Sequence, residues 1–467
     1  MSKDRDNSMT ARLGRYGRVS TTVAGLGLRV AGEKFLGLKI ERGSHAQDLL
    51  AALGNLKGPI MKVGQILATI PEALPPEYAN ALRELQSNAP PMGPAFVKRR
   101  MKSELGEGWE SRFKNFDLNA AAAASLGQVH KATTKKGEVV ACKLQYPDMS
   151  SAVEADLSQL KFIFGLYEKT DSAFSTKEVH AELADRLREE LDYQLEARHE
   201  RLYGFMLKDA GNVHVPKVVD DLSTSRLLTT TWMDGKPILS FKDAPIAQRN
   251  RIAMSLFNAW YTPLYHYGVI HGDPHLGNYS VRNDDSINLL DFGCVRIFRP
   301  AFVGAVTGLY HALMTNDEAG AVHAYEVWGF KNLSRELIDT LNVWARFLYG
   351  PLMDDKSRII GKAEGGIYGR ETAAVVHKRL QAAGGIDIPR EFVFMDRAAL
   401  GLGSVFIHLQ AEVNWYRVFN ELIEGSDTAK MAARQAEILP KFGLSLPSEP
   451  KTGYPEGNKK KAAGKKR

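Results

Sequence analysis

Two stretches of this 467-residue chain carry side chains at spacings suited to phosphoryl transfer. His271-Gly272-Asp273-Pro274-His275-Leu276-Gly277-Asn278 holds an aspartate and an asparagine five residues apart, and Asp291-Phe292-Gly293 closes the apolar run Ile287-Asn288-Leu289-Leu290. Phosphoryl transfer asks for little covalent chemistry: a carboxylate orients the acceptor, and oxygen ligands hold magnesium against the phosphates. Asp273 is the expected base, and Asn278 and Asp291 are the expected metal ligands. Alone, the first stretch reads as a polar capping loop and the second as a strand end with a turn; it is their joint occurrence, in this order, that points to a site. Zinc on His271 and His275 is the competing reading, but the other nearby histidine, His266, lies on the preceding helix at no familiar ligand spacing.

Upstream, Val139-Val140-Ala141-Cys142-Lys143 fits a strand whose lysine rests on the α and β phosphates. The strand before it, Ser125-Leu126-Gly127-Gln128-Val129, resembles the second half of a nucleotide-covering loop, while Ala120 to Ala124 stand where glycines are expected. Ala122, Ala123, Ala124, Ser125, Gly127 and Val129 are therefore expected to cover a nucleotide with an altered grip. Alanine resists positive φ and keeps the backbone farther from phosphate oxygens than glycine does. Lys143 needs a glutamate from the next long helix; Glu196 is the first choice, with Glu189 and Glu190 as rivals. At about 100° per residue Asp192 and Glu196 share a helix face, and Glu190 points away unless the helix is broken. Thr231-Trp232-Met233-Asp234-Gly235 ends a crossing strand, and the backbone around Thr231 and Met233 is expected to meet adenine.

The elements that must position these residues follow from periodicity. Residues 1 to about 118 read as helical between prolines. Gln128 to Thr133 and Glu138 to Gln145 read as a β-hairpin around Lys135-Lys136-Gly137, and a single amphipathic helix is predicted over about 176 to 202 from Val179, Leu183, Leu187, Leu191 and Leu195. Strands are predicted at Val213 to Val219 and Arg226 to Trp232, and helices from about 244 onward except between Gly268 and Arg296. The aromatic-rich carboxy-terminal helices read as core, with Asp396 and Arg397 as an ion pair or solvated charges.

Composition narrows the classes. The chain is 44% hydrophobic and 25% charged, which excludes a disordered or fibrous protein. Its two cysteines, Cys142 and Cys294, fit free thiols in a reducing, cytoplasm-like compartment. Six of the seven net positive charges lie on Lys459, Lys460, Lys461, Lys465, Lys466 and Arg467, so the body carries no nucleic-acid footprint. No stretch approaches the roughly 18 apolar residues of a spanning helix, and peripheral contact through the arginine-bearing amino terminus is the most expected of a membrane.

With Lys62-Val63-Gly64-Gln65 upstream, this set of motifs resembles the UbiB/AarF-like family of atypical kinases over about residues 45 to 425. The resemblance implies an α+β, protein-kinase-like two-lobed fold with a small β-rich N-lobe, a helical C-lobe and a helical amino-terminal extension packing over the active site. It divides the chain into extension (1–118), N-lobe (119–235), C-lobe (236–445) and disordered basic tail (446–467). It also implies that Lys62, Gly64 and Gln65 lie where a peptide substrate would bind, that Glu190 and Asp192 of Glu190-Leu191-Asp192 meet that motif, and that Glu196 pairs with Lys143. Implied ligands are Mg2+ with ATP or ADP; implied activities are weak ATP hydrolysis and support of ubiquinone or isoprenoid-lipid metabolism through a lipid or quinone precursor. Independently of the resemblance, only a short segment separates Asp291-Phe292-Gly293 from the apolar run at Ala301, too little for a peptide platform, and Gly272 stands where a phospho-responsive arginine would. Leu276 and Tyr279 depart from the family loop in packing. Two other readings stay open: a nucleotide-switched scaffold without phosphotransfer, and a small-molecule phosphotransferase like the aminoglycoside and choline kinases.

Overall fold

The structure is a computed structural model describing residues 92–124, 126–168, 177–273, 275–360 and 370–447. The expectations placed on Lys62, Gly64, Gln65 and Ser125, on the extension before residue 92 and on the basic tail lie outside the described residues.

The amino-terminal lobe runs through helix α1 (Pro94–Leu105), strands β1 (Phe113–Phe116), β2 (Ala122–Ala124), β3 (Gly127–Thr134) and β4 (Val139–Gln145), helices α2 (Met149–Glu168), α3 (Lys177–Glu189) and α4 (Tyr193–Met206), and strands β5 (Val213–His214) and β6 (Leu227–Thr231). Its antiparallel sheet has the order β1-β3-β4-β6, with β2 also on β3. Side chains alternate along β4: Val140, Cys142 and Leu144 enter an apolar core with Val97 and Met101 of α1, Trp109 and Phe113. That burial sends Ala141 and Lys143 to the opposite face. Cys142 and Cys294 are both buried thiols that form no disulfide.

Three elements differ from the sequence reading. Phe113–Phe116, inside the stretch expected to be helical, is a sheet strand, because its aromatic rings pack on Trp109 with Phe116 at 5.1 Å between centroids. Pairing at the predicted strand Val213 to Val219 stops after His214, apart from one bridge from Val218 to Thr230; Pro216 offers no backbone donor to a ladder. The helix predicted over 176 to 202 is broken. Asp192 N–H donates to Glu189 O at 2.9 Å to close a turn, and the Asp192 carboxylate then accepts from the amides of Gln194 and Leu195, capping α4.

The second lobe is helical around α5 (Ile246–Tyr267), whose Ile252, Leu256, Trp260 and Leu264 are buried at helical spacing. Gly268 ends α5 at φ +65°, and a Cβ there would run into the Phe298 carbonyl at 2.8 Å. Strand β7 (Lys236–Pro237) precedes α5, and after Gly268 the chain turns at once into β8 (Val269–His271), followed by β9 (Tyr279–Val281), β10 (Ile287–Leu289) and β11 (Val295–Ile297), with β8 paired to β11 and β9 to β10. These short pairs hold the loops that carry Asp273, Asn278 and Asp291. Trp260 supports them from below by donating to the Tyr279 hydroxyl at 2.8 Å. Helix α6 (Pro300–Thr315) starts seven residues after Gly293, with proline in its first turn. Trp344 and Trp415 are buried as expected of core aromatics. Asp396 differs: it accepts from the Trp344 indole at 2.6 Å, and burial pushes its pKa up to about 7. Among the described residues no helix is long and apolar enough to cross a membrane.

Replacing Trp260 removes a fully buried ring and the tether on Tyr279. Trp260→Ala is expected to lower unfolding stability by about 3–5 kcal/mol in denaturant titration; a loss below about 1 kcal/mol contradicts this packing account.

Candidate active site

Lys143 is the junction of the two lobes. Its Nζ donates to Glu196 Oε1 at 2.6 Å and to Asp291 Oδ2 at 2.9 Å, so a strand, a helix and a loop converge on one ammonium group. Burial alone disfavours that charge, but the Asp291 and Glu196 carboxylates outweigh it and hold the lysine pKa well above its ordinary value. The glutamate that reaches Lys143 is Glu196, not Glu189 or Glu190. Glu189 is taken by Arg186. Glu190 is buried on the far side of the helix break, where its Cγ comes within 3.7 Å of a Cβ built on Gly293. Asp192 is spent on the α4 cap and lies 4.0 Å from Arg198.

The turn after Asp291 is held from several sides. Asp291 Oδ1 accepts from Gly293 N–H at 2.9 Å, the Phe292 amide reaches Glu196 Oε1 at 3.4 Å, and His199 donates from Nδ1 to Phe292 O at 3.3 Å. His271 bridges the two motifs: Nε2–H donates to Asp291 O at 2.5 Å, and Nδ1 accepts from Asp273 N–H at 3.3 Å. Both ring nitrogens are thereby engaged in fixing the loops, which removes His271 as a zinc ligand. Asn278 donates Nδ2 to Asp273 O at 2.9 Å, leaving its amide oxygen as the lone-pair donor for a cation.

Above these groups, Val129 pairs with Lys143 across the strands, and Ala122, Ala123 and Ala124 pair with Val129, Gln128 and Gly127 to form the tip of the hairpin. The three alanines are exposed or half-buried. At the other edge the ladder ends where Trp232 N–H donates to Val139 O at 3.0 Å, so Met233 lies just past the last paired residue, Thr231. The base of the hairpin is tied to the entering chain: Gln128 Oε1 accepts from Met92 N–H at 2.6 Å, its Nε2 donates to His130, and His130 Nδ1 donates to Asp117 O at 2.8 Å. Burial lowers the His130 pKa, consistent with this neutral ring.

Two carboxylates face one ammonium at Lys143, and Glu196 Oε2 is buried without a hydrogen-bond partner among the described residues. Burial pushes the Glu196 pKa up to about 7 against the pull of Lys143, with the Asp291 carboxylate adding to the rise, so the two carboxylates compete for one ammonium. Magnesium suits such a place, since it binds through one or two protein oxygens and completes its octahedron with phosphates and water. Among the described residues no three His, Cys, Asp or Glu side chains are placed to hold a metal by themselves.

Sequence reasoning missed Tyr193, His199 and the bridging role of His271. Tyr193 and His199 lie three residues before and after Glu196, the spacing that brings side chains to one helix face, and that was the available signal.

Comparison with known proteins adds the relatives. The profile of the ABC1 atypical kinase-like domain matches residues 84–325. The atypical kinase coq-8 of Caenorhabditis elegans, a mitochondrial protein, is 27% identical over 323 residues, covering 68% of this chain and 43% of that protein. The mitochondrial atypical kinase COQ8 of Saccharomyces cerevisiae is 27% identical over 326 residues, 67% of this chain and 65% of that protein. The chain thus spans less than two thirds of the length of these relatives. Among solved structures, the complex of Rv3197 with erythromycin from Mycobacterium tuberculosis is similar at a TM-score of 0.56 and 28% identity, covering 81% of this chain and 96% of that one.

Burial, helped by neighbouring arginines, lowers the His199 pKa to about 4. The unfolded chain binds the extra proton below about pH 6.5, so the histidine's contribution is full above that pH and is lost as pH falls to 4. The stability gap between wild type and His199→Gln is expected to shrink by about 3 kcal/mol between pH 7 and pH 4 in denaturant titrations; a constant gap contradicts a buried neutral ring.

Proposed function

The chain belongs to the ABC1 atypical kinase-like family, and on that premise we propose that it binds an adenine nucleotide with magnesium and cleaves or transfers the terminal phosphate in the service of a small lipophilic molecule. The observation that carries the reading is the convergence of Lys143, Glu196 and Asp291, with Asp273 and Asn278 tied to them through His271.

In this reading Lys143 rests on the α and β phosphates, and Glu196 keeps its ammonium from swinging away. Asp273 orients the acceptor hydroxyl or water and takes its proton. Asn278 and Asp291 would hold magnesium, which would supply positive charge against the phosphates. Lys143 also donates to Asp291 Oδ2, so a phosphate that drew the lysine away would leave that carboxylate one contact fewer. The backbone at Thr231 and Met233 receives adenine, and the hairpin from Ala122 to Val129, including Ser125, covers the phosphates. Lys62, Gly64 and Gln65, with Glu190 and Asp192, are proposed to restrict the acceptor side.

A small acceptor is supported by the passage from Gly293 through β11 directly into α6, which leaves no extended segment to dock a peptide. The sequence resemblance implies a ubiquinone or isoprenoid-lipid precursor, and the names of the two COQ8 relatives accord with it. That Rv3197 was solved as a complex with erythromycin supports a small-molecule ligand in this reading.

Magnesium-dependent hydrolysis of ATP by the purified chain, with and without vesicles and a quinone-precursor-like phenol, tests the proposal. Asp273→Asn is expected to lose at least a hundredfold in rate while keeping nucleotide affinity; tight binding without turnover in the wild type under every condition would move the assignment to a nucleotide-switched scaffold. Ala122→Gly is expected to alter ATP against ADP preference or raise autophosphorylation, because it restores backbone freedom over the phosphates. Unchanged affinities and phosphorylation in that variant contradict the altered-grip account.

A further inference from the structure

Tyr193 opens α4, is 1% exposed, and has a hydroxyl with no hydrogen-bond partner among the described residues. A buried hydroxyl left unpaired destabilises a fold, and phenylalanine would fill the same space without that cost. The position of the hydroxyl is specific. A Cβ built on Gly127 would lie 3.0 Å from Tyr193 Oη, which puts the oxygen against the tip of the hairpin proposed to cover the nucleotide. Gly127 and Val129 share a face of β3, and Val129 pairs with Lys143, so the hydroxyl sits on the lysine's side of the sheet. The ring itself lies against the ammonium, with Lys143 Nζ 5.2 Å from its centroid.

We propose that Tyr193 is a phosphate-binding residue, whose hydroxyl donates to a phosphate oxygen of the bound nucleotide beside Lys143. This rests on the nucleotide reading above and adds a donor to it. The phenol keeps its proton throughout, since burial raises its pKa far above the ordinary value. As Lys143 moves from Asp291 to the phosphates, an anionic oxygen arrives under Gly127 and supplies the acceptor that the hydroxyl lacks. Hydrogen bonds to charged groups are the stronger class, so the contact is expected to favour nucleotide over nucleoside by about tenfold.

The test is Tyr193→Phe in the full chain, titrated with magnesium ADP and with adenosine, alongside the thermal midpoint of the free protein. The expected result is about tenfold weaker magnesium ADP binding, unchanged adenosine binding, and a midpoint equal to or above wild type. Unchanged affinity for magnesium ADP, or an equal loss for both ligands, overturns the proposal: the first makes the hydroxyl a trapped group, the second gives the ring only a packing role. A wild-type protein that binds no magnesium ADP refutes the nucleotide reading itself, and the phosphate contact with it.

Discussion

The buried ion pair between Lys143 and Glu196 is the constraint on which the arrangement depends. An ammonium group taken out of water needs compensation at short range, and removing one partner of such a pair costs about 3–5 kcal/mol. That requirement fixes the register of β4, since the lysine must leave the apolar core face that Val140, Cys142 and Leu144 fill. It also fixes the rotation of α4, whose Asp192 cap starts the helix so that Tyr193, Glu196 and His199 face the sheet and the Asp291 turn. Through Asp291 the same ammonium reaches the second lobe.

Much of the site was legible because its residues sit on strand ends and tight loops, where types and spacing survive without knowledge of packing. Lys143, Glu196, Asp273, Asn278 and Asp291 stand out by type and spacing, and hydrogen bonds, some through His271, link them in the structure. The break before α4 was not legible, since leucines at fours run through it from Leu183 to Leu195 and periodicity does not register a change of axis. The strand at Phe113–Phe116 was hidden for a similar reason: four residues hold too little alternation, and their pairing with β3 is a distant contact. Tyr193 and His199 became visible only once the helix face was known.

The excess of carboxylate at the junction connects stability with chemistry. Lys143 donates to both Glu196 and Asp291, so one ammonium group serves two carboxylates. On the proposed function, bound nucleotide and magnesium would relieve this competition by giving the lysine a phosphate and Asp291 a cation. The ABC1 atypical kinase-like domain spans residues 84–325, which include Lys143, Glu196 and Asp291, and the two COQ8 relatives are longer than this chain.

The most direct test of this account is calorimetric titration of magnesium ADP into wild type and Glu196→Gln at neutral pH. The amide keeps the shape of the side chain and removes the charge that steadies Lys143. The account predicts at least tenfold weaker binding in the variant, with lysine left on Asp291 in competition with the metal. Equal affinities would contradict it, because the ion pair would then play no part in preparing the site.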